Sequence, residues 1–319
     1  MTSDSKKKLI LVSKIFITLG LCTYLLFNAN WNEVPGLLGK VGLPVTTIVF
    51  IIMLLSITIS TYKWDIILQV HRIYFKFSAL HKYYFIATFF NNFLPTSIGG
   101  DGYRIYKTLD NQTSRACAVL AVFMERVSGL VALILVGSAS SLYILFAHGS
   151  GVASDYVLLA GLLCITGCAV MFILLQKGVI EKIKLKGRLF NLIKNNIGRL
   201  GDYNTNRNLT YRVIAISFLF HIHNSLSFFI LLNFGVGADI SLPQLYVALT
   251  LVNLIAVLPI SINGIGVVDG AFIYLTGLYG ASYDESLTVM IVTRLLLIPL
   301  SMIGGVLYFM NKSPVTPVK

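Results

Sequence analysis

The stretch NNFLPTSIGGDGYRIYK, residues 91–107, follows an aromatic and aliphatic run, FIATFF at 85–90, that reads as membrane-buried. A plain interfacial loop does not need two asparagines, a proline, three glycines, an aspartate and an arginine in such close order. Irregular backbone at membrane depth is tolerated only where protein or a water-filled cavity satisfies its polar groups. The stretch therefore reads as a broken hairpin that enters the membrane and returns. A second copy exists: residues 94–102, LPTSIGGDG, align without gaps with residues 258–266, LPISINGIG, sharing Leu, Pro, Ser, Ile and two Gly. Pro and Gly also permit tight helix packing in membranes, and that alternative stays open for either copy alone.

The surrounding chain is that of an integral membrane protein. It has 319 residues, 56% hydrophobic and 12% charged, and its long uncharged runs match the roughly 20 residues a helix needs to cross the hydrocarbon core. Expected spans are Leu9 to Phe27, Leu43 to Tyr62, Val127 to Ala147, Val152 to Gln176, Val213 to Phe234 and Leu287 to Met310. The whole chain reads as a single membrane domain, and the basic start resembles a signal peptide without its cleavage pattern, so the first helix is expected to be retained. The cysteines Cys22, Cys117, Cys164 and Cys168 lie in or beside apolar runs without metal-ligand spacing and read as small apolar filler.

A net charge of +12 raises the question of nucleic acid, and its distribution answers it. Nine of the 25 basic residues lie between Lys177 and Arg212 against two acids, which fits a cytoplasmic loop under the positive-inside rule and leaves nucleic acid unneeded. Within it, GRLFNLIKNNIGRL reads either as an interfacial helix on an anionic leaflet or as a solvated loop.

The same rule sets topology. With Lys6, Lys7, Lys8 and Lys14 inside, the first helix exits and the second returns to a loop holding Lys63, Arg72, Lys76 and Lys82. The 177–212 loop is also inside, so Tyr83 to Ser114 must begin and end on one side of the membrane. Counting onward to Lys312 and Lys319 inside, residues 242–279 enter and leave from the other side. Each half, about 1–150 and 151–319, becomes two helices, a broken re-entrant hairpin and one more helix, in opposite orientations. Inverted repeats interrupted at matching positions point to a transport site near the bilayer midplane. Both termini are expected in the cytoplasm, in the cytoplasmic membrane of a prokaryote.

Three motifs in order, NNFLPTSIGGDGYRIY, AVLAVFMERVSGLVAL and LPISINGIGVVDGAF, resemble the transmembrane region of lysylphosphatidylglycerol synthases, a flippase-like family that includes the membrane half of the multiple peptide resistance factor. The resemblance covers nearly the whole chain. It implies movement of lipids with modified head groups between leaflets, and it singles out Asn92, Pro95, Gly99, Gly100, Arg104, Glu125, Arg126, Pro259, Gly264, Gly266 and Asp269. The soluble synthase domain of that family is not in this chain, so aminoacyl transfer is not carried over and no enzymatic activity is expected. Where the family has an Arg-Glu pair before the last glycine of the third motif, this chain reads Val268 and Asp269, so the family's head-group preference does not transfer.

Ionisable groups in a span cost a few kcal/mol unless paired or hydrated. Arg126 and Arg294, with Arg104, are expected to line a hydrated cavity and hold a lipid phosphate through bidentate hydrogen bonds. Asp101, Glu125 and Asp269 balance them or meet a cationic head group. Static pairing, such as Glu125 with Arg294, is the alternative. Asn91, Asn92, Thr96, Ser97, Ser261 and Asn263 add hydrogen bonds at the two breaks, which centre on Pro95, Gly99 and Gly100 and on Pro259, Gly264 and Gly266. His221 and Asn224 share a face suited to an interhelical polar contact, and no His or Cys is placed to complete a metal site. No nucleotide-binding loop or nucleophile motif occurs, so no cofactor is expected.

The sequence thus reads as an all-α polytopic protein that translocates a polar or anionic phospholipid. Two other readings remain: an accessory subunit presenting lipid to a modifying enzyme, and a membrane enzyme acting on lipid phosphates. The lipid, the energy coupling and the oligomeric state stay open.

Overall fold

A computed structural model describes residues 3–94, 99–109, 115–149, 151–175 and 206–310. Those residues form α-helices joined by short connections, with no strand among them. The first half holds α1 (Ser3–Phe27), α2 (Val34–Val70), α3 (Phe77–Phe93), α4 (Gly99–Thr108) and α5 (Arg115–His148). The second holds α6 (Val152–Leu175), α7 (Arg207–Phe229), α8 (Leu242–Ala256), α9 (Val267–Gly277) and α10 (Tyr283–Met310). In both halves a break between two short helices is followed by one long helix.

Four helical stretches are long and apolar enough to cross a membrane: Val34–Val70, Arg115–Ala147, Arg207–Val236 and Tyr283–Met310. Each contains one of the expected spans. The other two expected spans fall on α1 and α6, whose apolar stretches Leu11–Phe27 and Ala153–Thr166 are shorter. The chain is an all-helical, multi-pass membrane protein. Most of the basic 177–212 segment, including the expected interfacial helix, lies outside the described residues.

Local chemistry accounts for the departures in length. The second expected span begins at Leu43, yet α2 starts at Val34, because Gly42 takes φ 60° ahead of Pro44 and joins a short helix to the long one. The carbonyls freed at that kink are taken up by hydroxyls: Thr46 Oγ1 donates to Gly42 O at 2.6 Å and Thr47 Oγ1 to Leu43 O at 2.8 Å. A π-helical turn at Ile230–Val236 prolongs α7, and Gly237 at φ 88° ends it.

Burial divides into two large apolar clusters. One gathers Val41 and Val49 of α2 with Leu231 and Leu232 beyond α7, Leu245 and Val252 of α8 and Phe272 of α9. The other gathers Trp64, Ile66, Ile67, Leu68 and Val70 of α2 with Leu80 and Tyr83 of α3, Ala121 of α5 and Val213 of α7. Along α2 the clusters are separated by the fifteen residues from Val49 to Trp64, about 22 Å at 1.5 Å per residue. The α3–α4 hairpin thus shares an apolar cluster with one end of α2, and the α8–α9 hairpin shares one with the other.

Packing across the halves is reciprocal. α3 lies on α10, α8 lies on α5, and α2 lies on α7. Both hairpin contacts are close enough to demand glycine. A Cβ on Gly304 of α10 would sit 2.0 Å from Phe85 O of α3, and one on Gly137 of α5 would sit 2.2 Å from Thr250 Oγ1 of α8.

Of His221 and Asn224, the residues expected to make a polar interhelical contact, His221 makes one, and His223 makes another. His221 Nε2 donates to Gly129 O of α5 at 2.8 Å, and His223 Nε2 donates to Ile52 O of α2 at 2.9 Å. Cys22, Cys117 and Cys164 are not in disulfides, and the side chain of Cys168 lies outside the described residues. No cluster of metal-ligating side chains occurs among the described residues.

Candidate functional site

The two breaks come together. Asn263 Nδ2, at the second break, donates to Asn92 O at the end of α3 at 2.8 Å, and Asn92 Nδ2 donates to Ser301 Oγ of α10. The Ile262 amide donates to Thr18 Oγ1 at 3.0 Å, which ties the second break to α1. The second break is irregular in the way its sequence demands: Gly264 and Gly266 have φ 71° and 83°, and Asn263 sits at φ 52°, a region open to glycine and tolerated by asparagine. In the first, Gly100 is the second residue of α4, and a Cβ there would lie 2.1 Å from Ala87 O. Pro95, Thr96 and Ser97 lie outside the described residues.

Between the tips is a cavity of about 300 Å³. Three cations line it, Lys14 of α1, Arg126 of α5 and Arg294 of α10. The amides Asn91, Asn92 and Asn263, the hydroxyl of Ser261, and Pro259 and Gly264 complete its polar side, while Val268 presents an aliphatic surface. Among the described residues, no carboxylate lines it. Ser261 is 7% exposed, and its hydroxyl has no hydrogen-bond partner among the described residues. Buried hydroxyls are normally paired, so one facing a polar cavity has capacity for a ligand or water.

The acids stand behind this lining and are spent on protein partners. Asp101 lies in the first turn of α4 and Asp269 in the first turn of α9, where a negative charge suits the helix dipole. Arg126 Nε donates to Asp101 Oδ2 at 2.6 Å, and Arg104 Nη2 donates to Asp101 Oδ1 at 2.7 Å. Glu125 receives Arg104 on Oε2 and the Tyr84 hydroxyl on Oε1, the latter at 2.8 Å. Asp269 Oδ1 takes Arg294 Nε and Nη2 at 3.1 and 3.0 Å, and its Oδ2 takes the Gly266 amide at 2.8 Å. That last bond is the reach-back of an acid at the third helical position to the cap.

Exposure separates these groups into two tiers. Side chains of Arg104, Glu125 and Asp101 are 4–7% exposed, while Arg126 is 56% and Arg294 31% exposed. Arg104 is held further by aromatic faces, its guanidinium 4.6 Å from the Tyr84 ring and 5.1 Å from the Trp64 ring, an arrangement that stabilises a desolvated cation. Lys63, 5% exposed, donates to Glu125 O at 3.1 Å.

Of the residues expected at the site, Asn91, Asn92, Arg126, Ser261, Asn263 and Arg294 line one cavity. Arg104, Asp101, Glu125 and Asp269 form the layer behind it, and Glu125 pairs with Arg104 rather than with Arg294. Lys14 enters as a lining residue that the topology argument treats only as a cytoplasmic charge; its place inside the expected Leu9 to Phe27 span is the signal that marks it. Tyr84, Trp64, Lys63 and Ser301 join the network with no motif to announce them.

Residues 10–305 match the family described as lysylphosphatidylglycerol synthase TM region. No curated protein matches the chain. With nearly its whole length covered by that match, the chain belongs to the lysylphosphatidylglycerol synthase TM region family.

Proposed function

We propose that this protein is a lipid translocase that moves a polar or anionic head group across the cytoplasmic membrane of a prokaryote. The observation that carries the proposal is the cavity between the two breaks, which gathers Lys14, Arg126 and Arg294 where the hairpin tips meet. Cations fixed in such a place suit a phosphate, which an arginine binds through charge-assisted hydrogen bonds. Membership of a family named for a lipid synthase's membrane region supports a lipid as the cargo.

The architecture behind it is two inverted repeats, each with a re-entrant hairpin, and both termini in the cytoplasm. Support comes from the reciprocal packing of α3 on α10 and α8 on α5, and from hairpins that share apolar clusters with opposite ends of α2. The head group passes through the polar cavity while the acyl chains stay in lipid. Along α10 an entirely apolar groove of about 590 Å³, bordered by Ile298, Pro299, Met302 and Val306, offers those chains a path. Two hairpins opening in turn make the gates.

The test is head-group translocation of the host's own labelled phospholipids in proteoliposomes, with wild type and Arg294→Ala at matched protein density. Flux in the wild type that falls at least about tenfold in the variant is expected, the size of one lost charge-assisted contact. Equal flux would assign Arg294 a structural role. Absence of flux from both would replace translocation with presentation of lipid to a partner enzyme.

A further inference from the structure

We infer that the cavity selects lipids whose head group presents a phosphate and no free ammonium, and that Lys14 is one of its phosphate-binding residues. The inference takes from the preceding proposal only that a lipid head group enters the cavity.

The acceptors decide what cannot bind. A cationic head group needs a carboxylate or a cluster of unspent oxygens, and each of the six oxygens of Asp101, Glu125 and Asp269 already receives a donor from the protein. All three acids lie behind the lining, not in it. An ammonium group in the cavity would instead face three cations across a space of about 300 Å³. Among the amides, Asn91 Oδ1 accepts the Gly100 amide at 2.8 Å, and the side-chain oxygens of Asn92 and Asn263, which also line the cavity, carry no charge to offset those cations.

The donors decide what can. Arg126 and Arg294 use Nε and Nη2 on their aspartates, which leaves Nη1 of each without a protein acceptor among the described residues. Lys14 is half-buried and has no acid within salt-bridge distance among the described residues. The Ser261 hydroxyl, 7% exposed and unpartnered, faces the same space. Counted over lining and backing layers, Lys14, Arg104, Arg126 and Arg294 exceed Asp101, Glu125 and Asp269 by one positive charge. Lys63 adds a second, held on a backbone carbonyl at the rear. A phosphodiester carries one negative charge and a phosphomonoester up to two, so either one neutralises the site without an accompanying cation.

The experiment measures binding separately from transport. The full chain, reconstituted in phosphatidylcholine nanodiscs, is titrated with labelled phosphatidic acid, phosphatidylglycerol and lysylated phosphatidylglycerol, then repeated with Lys14→Gln, Lys14→Arg and Ser261→Ala. The two anionic lipids should bind at least about tenfold more tightly than the lysylated one, and Lys14→Gln should remove about tenfold of that affinity. Lys14→Arg should stay near wild type, and Ser261→Ala should lose about threefold, the scale of one neutral hydrogen bond. Equal or tighter binding of the lysylated lipid overturns the selectivity, and unchanged binding by Lys14→Gln overturns the role of Lys14. The head-group series on wild type needs no variant to fold. Inorganic phosphate should compete only at millimolar concentration; competition as strong as that of the lipids would make the ligand a free anion and sink the lipid assignment. Selective binding without flux would count against translocation alone, and flux without head-group selection would count against this inference alone.

Discussion

The two hairpins use the same charged device and back it differently. Aligned at the first residues of α4 and α9, Gly99 and Val267, both helices carry an aspartate at the third position, and in both the partner arginine follows 25 residues later. At the sixth position the first hairpin has Arg104, buried against Glu125, Tyr84 and Trp64. The second has Phe272, fully buried, with its ring centroid 5.3 Å from that of Phe228. The position that corresponds to Glu125 is Thr293, whose hydroxyl bonds its own helix at 2.8 Å. A hairpin can therefore be seated on a charged network or on an apolar one, and the Asp–Arg pair at the cavity is what the two have in common. The network is the more demanding of the two, because each buried charge depends on its partner's presence.

The sharpest way to break that contrast is Glu125→Ala, which strands Arg104 at 4% exposure with one partner lost. A destabilisation of about 3–5 kcal/mol is expected, read as thermal unfolding in detergent, and a loss under about 1 kcal/mol would mean that the network is not structural. Next comes the pair of tight crossings. Gly304→Ala meets a backbone carbonyl that cannot swing aside, and should cost about 1–3 kcal/mol. Gly137→Ala meets the side chain of Thr250, whose Oγ1 can rotate away but whose Cβ, 2.9 Å off, cannot, and should cost somewhat less than its counterpart in the same assay. Asn263→Ala, which removes the bond to Asn92 O and puts alanine at φ 52°, should cost about 1–2 kcal/mol. The smallest effect is expected from the triple change Tyr84→Phe, Arg104→Met, Glu125→Leu, which rebuilds the first hairpin in the apolar style of the second. It should unfold within about 1 kcal/mol of wild type, and a large loss would show that the charges are needed for the seat itself.

Much of the fold was readable because hydrophobic runs of membrane length and paired glycine-proline breaks leave direct marks in the sequence. The cavity arginines were readable too, since a charge inside an apolar run is costly and few exist. The equivalence of the two Asp–Arg pairs was not. The motif alignment shifts residue 94 to 258, a step of 164, whereas Asp101 to Asp269 and Arg126 to Arg294 are steps of 168. The difference arises at the breaks: five residues, 94–98, separate α3 from α4, and ten, 257–266, separate α8 from α9. Gapless matching therefore sets Asp101 against Ile265 and hides the recurrence. Lys14 escaped for another reason, because charge counting treats a lysine near an N-terminus as a label of sidedness and says nothing of which face of α1 it occupies. The partners of Arg104 were hidden because Tyr84 and Trp64 belong to ordinary aromatic runs, and only the packing of α2 against α3 gives them their role.

The hydrogen bond from Asn263 to Asn92 O has a consequence for solvent. It is a contact between the two tips, made with a main-chain carbonyl, and hydrocarbon offers no substitute partner if it breaks. Any parting of the tips leaves an amide and a carbonyl to be solvated, so each excursion must draw in water. Motion at this point is thus tied to hydration, and its equilibrium should respond to osmotic pressure: solutes too large to enter the cavity pull water out and hold the tips shut.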